Sequence, residues 1–152
     1  MRSVIDAGLS LAGLATGIAQ NRARWKDAVR FDPDQRYYAL LERTPEYEAW
    51  LLTWMPGQRT GIHDHGNVAG AFAIVRGTLQ ESVYRASQVV RTFDRGRVRA
   101  FGPTHIHDLT NPGPFPAVSI HVYSPLLTSM TQYAVRDGRL VVTALEQAGT
   151  DW

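Results

Sequence analysis

The histidines of this sequence are grouped in a way that could bind a metal ion. All five fall between His63 and His121, and four of them form two pairs with one residue between the partners: His63 with His65, and His105 with His107. In a β-strand, residues i and i+2 point to the same face, so each pair can direct two imidazoles at one point. One pair and a histidine from a distant strand would complete a three-nitrogen metal site.

A second group of polar residues lies on one apolar run. Ser119, His121 and Tyr123 stand at i, i+2 and i+4, so all three side chains share one face of a strand. They are predicted to form a chain of hydroxyl, imidazole and phenol, in which His121 orients Tyr123. Tyr123 would then offer its O–H group to a substrate, and these three residues are the candidate catalytic groups.

Glycines flank the first histidine pair at spacings that resemble a known motif. The string Gly57-x5-His63-x-His65-x4-Gly70-x6-Gly77 is similar to the first motif of the cupins. Glycine stands at position 70, where cupins usually carry a carboxylate ligand. Three neutral histidines would leave the full charge of a divalent ion uncompensated, which favours an anionic ligand such as a substrate thiolate.

The second histidine pair also has cupin-like spacing. Gly96 stands eleven residues before His107, and Asn111 stands four residues after it, which resembles the second cupin motif. Strand parity cannot choose between His105 and His107, because the two share a face. The Asn111 spacing favours His107 as the third ligand, and His105 is expected in solvent.

The same region resembles a narrower family, the cysteine dioxygenase group of thiol dioxygenases. The resemblance covers roughly residues 36 to 125 and is carried by Trp54-x-Pro56-Gly57, Ile62-His63-Asp64-His65, Gly77-x-Leu79-x-Glu81-x-x-Tyr84, Ile106-His107 and Ser119-x-His121-x-Tyr123-Ser124-Pro125. It implies Fe(II) held by His63, His65 and His107. It also implies O2-dependent oxidation of a small thiol to its sulfinic acid, with L-cysteine as the first expectation and 3-mercaptopropionate or a related thiol next.

The sequence departs from this family at two places. Animal members carry a cysteine at the Gly70 position that crosslinks to the tyrosine matching Tyr123, so here we expect an uncrosslinked, mobile tyrosine and a wider pocket. The family also binds the substrate carboxylate with an arginine, whose position falls on Tyr37 or Tyr38. The candidate substrate contacts are therefore Arg36, Tyr38, Trp54 and Phe72, with Arg59 and Arg76 as other possible carboxylate ligands.

The elements that must position these residues are mostly strands. Apolar residues at three-to-four spacing predict a helical segment from Ser3 to about Val29, with Ser3 as its N-cap, and Pro33 closes this region. Short β-type runs divided by turn signals follow from Tyr37 onward. They cover Tyr37–Leu41, Ala49–Met55, Ala69–Arg76, Leu79–Arg85, Val89–Phe93, Val98–Phe101, Ala117–Ser124, Gln132–Arg136 and Leu140–Leu145.

These runs predict an all-β fold, a small antiparallel β-barrel or jelly roll of the cupin type with an N-terminal helical segment. Asp137-Gly138 between the last two runs is a strong hairpin signal. We expect one domain overall, with residues 1–35 as the helical lead and residues 36–152 as the barrel.

Composition excludes several classes of protein. The chain has 152 residues, 44% hydrophobic and 20% charged, which is ordinary globular usage. A net charge of +2 does not make a nucleic-acid-binding surface. With no cysteine, the chain can form neither a disulfide nor a thiol nucleophile. Polar residues interrupt Val4–Ile18, so no membrane span is predicted and a cytoplasmic location is expected.

The sequence is compatible with two alternative functions. One is a different metal-dependent cupin enzyme, an isomerase or a dioxygenase that acts on carbon. The other is a non-catalytic cupin that binds a small ligand. The absent ligand carboxylate and the Ser119–His121–Tyr123 group argue against the first. The small share of the chain left for an output domain argues against the second. The oligomeric state is left undecided.

Overall fold

The structure, a computed structural model, describes residues 10–152. It contains one α-helix, α1 (Leu11–Gln20), followed by two 3-10 turns, Arg22–Arg24 and Lys26–Ala28. Eleven strands follow in the described chain: β1 (Tyr37–Arg43), β2 (Glu48–Trp54), β3 (Ile62–His63), β4 (Ala69–Arg76), β5 (Thr78–Tyr84), β6 (Gln88–Asp94), β7 (Val98–Phe101), β8 (His107–Thr110), β9 (Ala117–Ser124), β10 (Ser129–Arg136) and β11 (Arg139–Gln147).

The strands form two antiparallel sheets. The first sheet has the order β1-β2-β9-β4-β7, and the second has the order β11-β10-β3-β8-β5-β6. Neighbouring strands of the first sheet, such as β2, β9 and β4, are far apart in sequence, so the chain crosses repeatedly between the two sheets. The predicted all-β antiparallel architecture with a helix near its N-terminus is confirmed.

The central strand β9 is buried on both faces, which places the candidate catalytic residues inside the molecule. Val118, Ile120 and Val122 point outward into the apolar layer beneath α1. The alternate positions, including Ser119 and His121, point to the interior between the sheets, where the second apolar cluster lies. Strand alternation thus separates the packing face of β9 from its polar face.

The helix is shorter than predicted. The N-cap of α1 is Ser10, whose Oγ accepts a hydrogen bond from the Gly13 backbone N–H (3.0 Å). The predicted cap at Ser3 lies outside the described residues. The expectation that the helix continues to Val29 is wrong, because the buried apolar stripe ends at Ile18 and the chain breaks into 3-10 turns after Gln20.

Two strands that carry metal-ligand candidates were not predicted. β3 has two residues and β8 has four, too short to show a period-two pattern in the sequence. They pair with each other so that His63 lies opposite His107. The Asp137-Gly138 hairpin is confirmed: both residues have positive φ (52° and 74°), as a tight turn between β10 and β11 requires.

No helix in the described part of the chain is long and apolar enough to cross a membrane. The division into a helical lead (1–35) and a barrel (36–152) stays a prediction. What the fold shows is that α1 packs on the outer face of the first sheet, through Leu14, Ala15 and Ile18.

Candidate metal centre

Three histidines meet between the sheets in a nearly equilateral arrangement. The ring centroids of His63, His65 and His107 lie 4.8, 4.7 and 4.8 Å apart, and the rings meet edge to face. One nitrogen from each ring lies within 4.8 Å of the others. All three side chains are buried, and one imidazole nitrogen from each converges on one small volume.

Hydrogen bonds fix which nitrogen two of these rings present. His63 Nδ1 lies 2.9 Å from the Gly61 carbonyl oxygen, and His107 Nδ1 lies 2.7 Å from a carboxylate oxygen of Glu81. Both partners only accept hydrogen bonds, so each Nδ1 must carry the hydrogen. The Nε2 atoms of His63 and His107 are therefore left as lone-pair donors, the form that binds a metal ion.

His65 shows that this volume fits a cation. Both of its ring nitrogens are buried and have no hydrogen-bond partner among the described residues. A buried polar group without a partner costs roughly 1–3 kcal/mol. A divalent ion bound by the three rings would satisfy the orphaned nitrogen of His65, so the residues present fit a metal centre.

The same burial keeps the three rings neutral. Burial is the largest effect on each ring and lowers the pKa of His63, His65 and His107 below the ordinary histidine range. The charges of the neighbouring histidines lower the pKa of His63 and His65 further. Neutral imidazoles need no deprotonation before they bind a metal ion at neutral pH.

The loop between the first two histidines is fastened by Asp64. His65 lies outside β3, so strand parity does not place it. Instead, Asp64 Oδ1 accepts hydrogen bonds from the backbone N–H groups of Gly66 (3.1 Å) and Thr131 (3.0 Å), and Oδ2 accepts one from the Tyr133 hydroxyl (2.8 Å). These bonds join the loop to β10 and turn His65 back toward His63.

A buried carboxylate orients the third histidine. Glu81, on β5, is fully buried and accepts hydrogen bonds from His107 (2.7 Å), His105 (2.9 Å) and Arg99 Nε (3.0 Å). Burial by itself would raise the pKa of Glu81, but the two histidine hydrogen bonds and the charge of Arg99 outweigh it and lower the pKa. Glu81 is therefore an ionised group placed directly behind His107.

The expectation that His105 lies in solvent is wrong. His105 is 7% exposed, stacks on Phe101 with ring centroids 4.7 Å apart, and donates its Nε2 hydrogen to Glu81. His105 is buried because Glu81, on the inward face of β5, offers it a buried hydrogen-bond acceptor. Glu81, His105 and His107 also form a second cluster with metal-ligand atoms, but their hydrogen bonds and the Arg99 ion pair already account for these groups.

Gly70 does not widen the pocket, contrary to the sequence-based expectation. A Cβ atom at this position would lie 2.5 Å from Cζ of Phe101 and 3.0 Å from the Tyr123 ring. Phe101 fills the space and also packs against His65, with ring centroids 4.7 Å apart. Tyr123 is 8% exposed and packed between these groups, so it is held by burial rather than by a crosslink.

The predicted polar chain on β9 exists but runs in a different direction. Trp54 Nε1 donates to Ser119 Oγ (2.9 Å), and Ser119 Oγ lies 2.7 Å from His121 Nε2. Indole N–H only donates, so every hydrogen finds an acceptor when Ser119 donates to His121. In the described part of the chain no hydrogen bond joins His121 to Tyr123, so the predicted link from imidazole to phenol is absent there.

The ionisation states of His121 and Tyr123 follow from their burial. Burial, then the charges of His107 and Arg36, lower the pKa of His121 to about 3, so its ring is neutral. Burial raises the pKa of Tyr123 above its ordinary value despite the opposing charge of Arg36. Tyr123 is therefore a protonated phenol, which can donate a hydrogen bond, at every physiological pH.

A cavity of about 500 Å³ opens onto this centre. His63, His107, His121 and Tyr123 line it, and so does Arg36. The Arg36 guanidinium carbon lies 5.3 Å from the Trp54 ring centroid. Arg36 forms no ion pair with a carboxylate of the described chain, and its Nε is buried without a hydrogen-bond partner. Arg36 thus gives the cavity wall a positive charge and a hydrogen-bond donor, Nε, that has no partner.

Of the other predicted substrate contacts, the structure places only Tyr38 in this cavity. Trp54 and Phe72 are fully buried and do not line it. They support His121 instead: Trp54 through Ser119, and Phe72 by stacking on the His121 ring at 5.6 Å. The alternative carboxylate ligands are also elsewhere, since Arg59 pairs with Asp108 and Arg76 lies over Phe31.

Sequence reasoning missed Glu81 and Arg99 as parts of the site. A signal was present in the alternation of β5, where Leu79, Glu81 and Val83 share the buried face. A carboxylate on an otherwise apolar inward face requires a buried partner. Arg99 gave no such signal, because the pairing of β7 with β4 that brings it close is long-range.

Comparisons with known proteins agree with this geometry. The profile of the family described as "Cysteine dioxygenase type I" matches residues 2–136. A Klebsiella pneumoniae protein with a double-stranded β-helix domain superposes with TM-score 0.60 at 16% identity, over 78% of this chain and 93% of its own. An RmlC-like cupin protein from Desulfovibrio desulfuricans gives TM-score 0.56 at 18% identity, over 66% and 92%. At these identities the two structures show the cupin fold, which the sequence predicted.

The position of Glu81 leads to a test of metal binding. Glu81→Gln removes the negative charge behind His107 and leaves a side chain of the same size. Loss of such a partner typically weakens metal affinity 10- to 100-fold. We expect a loss in this range for Co²⁺ or Zn²⁺, measured by competition with a chelator of known affinity.

Glu48→Gln provides the matched control. Glu48 is also fully buried, pairs with Arg43, and accepts a hydrogen bond from the Leu127 backbone N–H, but it contacts none of the three histidines. Its loss is expected to lower the free energy of unfolding while metal affinity stays within about twofold. Equal metal affinity in wild type and Glu81→Gln would contradict the assigned role.

Proposed function

Since the chain belongs to the cysteine dioxygenase type I family, we propose that it is a non-haem Fe(II) thiol dioxygenase. The proposed reaction converts a small thiol and O2 to the sulfinic acid, with L-cysteine as the first candidate substrate and 3-mercaptopropionate or a related thiol next. The observation that carries the proposal is the set of three converging neutral histidines, one with both nitrogens unsatisfied, beside a cavity with an unpaired arginine.

His63, His65 and His107 are the proposed ligands. A ferrous ion held there supplies a Lewis-acid site for the thiolate and electrons for the activation of O2. The three rings are neutral, and glycine stands at position 70 where a carboxylate ligand is usual. The protein ligands therefore bring no negative charge to the ion. With a ferrous ion bound, the uncompensated positive charge would favour a deprotonated substrate sulfur.

Arg36 is the proposed partner for a substrate carboxylate. Its charge lies in the wall of the cavity that contains His63 and His107, and no protein carboxylate pairs with it in the described residues. A carboxylate there would accept charge-assisted hydrogen bonds from the guanidinium. Such a contact would fix one end of the substrate while its sulfur faces the three histidines.

Tyr123 is the proposed hydrogen-bond donor to the reacting groups. It lines the cavity, packs against His65 with ring centroids 5.6 Å apart, and keeps its phenolic proton because burial raises its pKa. The Trp54–Ser119–His121 chain holds the His121 ring in the adjoining wall. We assign Ser119 to positioning, since it reaches the cavity only through His121.

The proposed reaction is tested by O2 consumption. Protein loaded anaerobically with Fe(II) is mixed with L-cysteine, 3-mercaptopropionate, cysteamine or mercaptosuccinate, and sulfinate is detected by mass spectrometry. We expect one equivalent of sulfinate per O2 from at least one thiol, and none from His107→Ala, which lacks a ligand. Bound iron without O2 uptake from any of these thiols would contradict the proposal.

The role of Arg36 is tested by comparing substrates with and without a carboxylate. Hydrogen bonds to a charged group contribute about 1.5–3 kcal/mol, so Arg36→Gln should weaken the binding of 3-mercaptopropionate about 10- to 100-fold. Steady-state kinetics would show this as a rise in KM for that thiol. Cysteamine has no carboxylate, so its KM should change far less. Equal changes in the two KM values would show that Arg36 does not bind the carboxylate.

A further inference from the structure

A glutamine lies beside the metal centre, on the strand next to His63. In the antiparallel pairing of β10 with β3, Gln132 stands directly opposite His63. Side chains of directly opposite residues share one face of the sheet, with Cβ atoms about 4.5–5.5 Å apart. Gln132 lines the cavity, and so does Met130, two residues earlier on the same strand. The Gln132 side chain therefore extends from the inward face of β10 next to a ligand candidate.

The amide group of Gln132 lies beside the turn that leads into His63. Its Oε1 atom is 3.5 Å from the position that a Cβ atom on Gly61 would take. The Gly61 carbonyl oxygen is the partner of His63 Nδ1. The end of the Gln132 side chain is thus close to the backbone group that orients this ring.

This amide has no hydrogen-bond partner in the described part of the chain. The Gln132 side chain is half-buried, and neither its Oε1 nor its Nε2 atom bonds to a described residue. A glutamine amide offers one acceptor oxygen and two donor hydrogens. The neighbours on β10 differ, because Thr131 and Tyr133 both bond to Asp64 and so fasten the loop of His65. The amide of Gln132 remains available to a molecule in the cavity.

The strand pairing on the other side of β10 is irregular at the same residue. Gln132 pairs with Ala144 and Tyr133 pairs with Val142, so Thr143 is an extra residue on β11. Such bulges change the direction of nearby side chains and are over-represented next to active sites. Thr143 and Ala144 both line the cavity. The bulge is therefore part of the cavity wall beside Gln132.

Gln132 is the acceptor on the strand adjacent to the ligand strand β3. In the described chain, three lining side chains carry a carbonyl or carboxylate oxygen: Gln132, Glu146 and Asp151. Glu146 lies on β11, one strand further from β3, and neighbouring strands are about 4.7–4.9 Å apart. Asp151 follows β11, and its Oδ2 already accepts a hydrogen bond from the Gln147 backbone N–H.

Resting on the proposed function, we propose that Gln132 determines specificity for thiols that carry an amino group. In cysteamine and L-cysteine two carbons separate the sulfur from the nitrogen, so a sulfur at the three histidines keeps the ammonium group close to the centre. Gln132 Oε1 accepts a hydrogen bond from this ammonium group, and Arg36 contacts a carboxylate where the thiol has one. L-Cysteine uses both contacts, cysteamine uses only Gln132, and 3-mercaptopropionate uses only Arg36.

The test measures the binding of these three thiols without turnover. Protein loaded anaerobically with Co²⁺ is titrated with each thiol, and the dissociation constants are obtained by calorimetry. Gln132→Met keeps the length of the side chain and removes the amide. Because a hydrogen bond to a charged group is lost, cysteamine and L-cysteine should bind about 10-fold more weakly. The dissociation constant of 3-mercaptopropionate, which has no amino group, should change by less than about twofold.

Further variants separate the acceptor role from packing. Gln132→Glu retains an acceptor oxygen and adds a negative charge, so it should bind cysteamine at least as tightly as wild type does. Gln80→Met is the matched control, because Gln80 is half-buried between the inward residues of β5 and does not line the cavity. Its three dissociation constants should equal those of wild type. Arg36→Gln should show the opposite pattern, with weaker binding of 3-mercaptopropionate and unchanged binding of cysteamine.

The outcomes separate this inference from the proposed function. Equal changes for cysteamine and 3-mercaptopropionate in Gln132→Met, no change for either, or weaker binding of cysteamine by Gln132→Glu overturns the inference even where thiols are oxidised. A loss confined to the two amino thiols, which Gln132→Glu restores, supports it whether or not sulfinate forms. Wild-type protein that binds these thiols without O2 uptake overturns the dioxygenase proposal alone, and wild-type protein that binds none of them overturns both.

Discussion

Everything around the centre follows from one constraint: His65 is buried with both ring nitrogens unpaired. Such a group is costly without a partner, and a metal ion bound by the three rings would satisfy one of its nitrogens. His63 and His107 have committed their Nδ1 hydrogens to Gly61 and Glu81, so they present lone pairs rather than hydrogens to the shared volume. Together with a nitrogen of His65, these two lone pairs would form a three-nitrogen site of the kind that binds a divalent metal ion.

Many cupins bind the metal directly with a carboxylate. Here the ionised carboxylate of Glu81 contacts the ligand candidate His107 instead. Gly70 removes the direct carboxylate ligand, and Phe101 closes the space that a side chain would need. Glu81 restores an ionised carboxylate behind His107, held by His105 and Arg99. A divalent ion held by the three neutral rings would retain its positive charge and attract an anionic substrate sulfur, and the charge of Glu81 would polarise the His107 ring.

The sequence could predict what depends on local pattern and not what depends on long-range pairing. The runs of alternating apolar and polar residues and the Asp137-Gly138 turn predicted the long strands. The same alternation predicted that Ser119 and His121 share one interior face. Strand β3 was not predicted, because two residues are too few to show the alternation of apolar and polar residues that indicates a strand. His65 was expected near His63 on strand parity, but hydrogen bonds from Asp64 to β10 are what place it there.

Burial was the property hardest to foresee. Whether His105 faces solvent depends on Glu81, which lies 24 residues earlier and approaches only when β5 pairs with β8. Trp54 stands in a family-like motif and Phe72 shares the inward parity of Gly70. Packing nevertheless places both side chains behind His121 instead of in the cavity. Glu146 on β11 also lines the cavity, and it lies beyond residues 2–136 of the family match, so no motif pointed to it.

The most direct test of the central claim is the isotopic composition of the product. Iron-loaded protein should convert a thiol under ¹⁸O2 to a sulfinate that carries two ¹⁸O atoms, because both oxygens come from one O2 molecule. Mass spectrometry would show this as a product four mass units heavier than the product formed under ordinary O2. A product with one ¹⁸O atom or none, or a disulfide in place of the sulfinate, would contradict the assignment of thiol dioxygenase chemistry to this three-histidine centre.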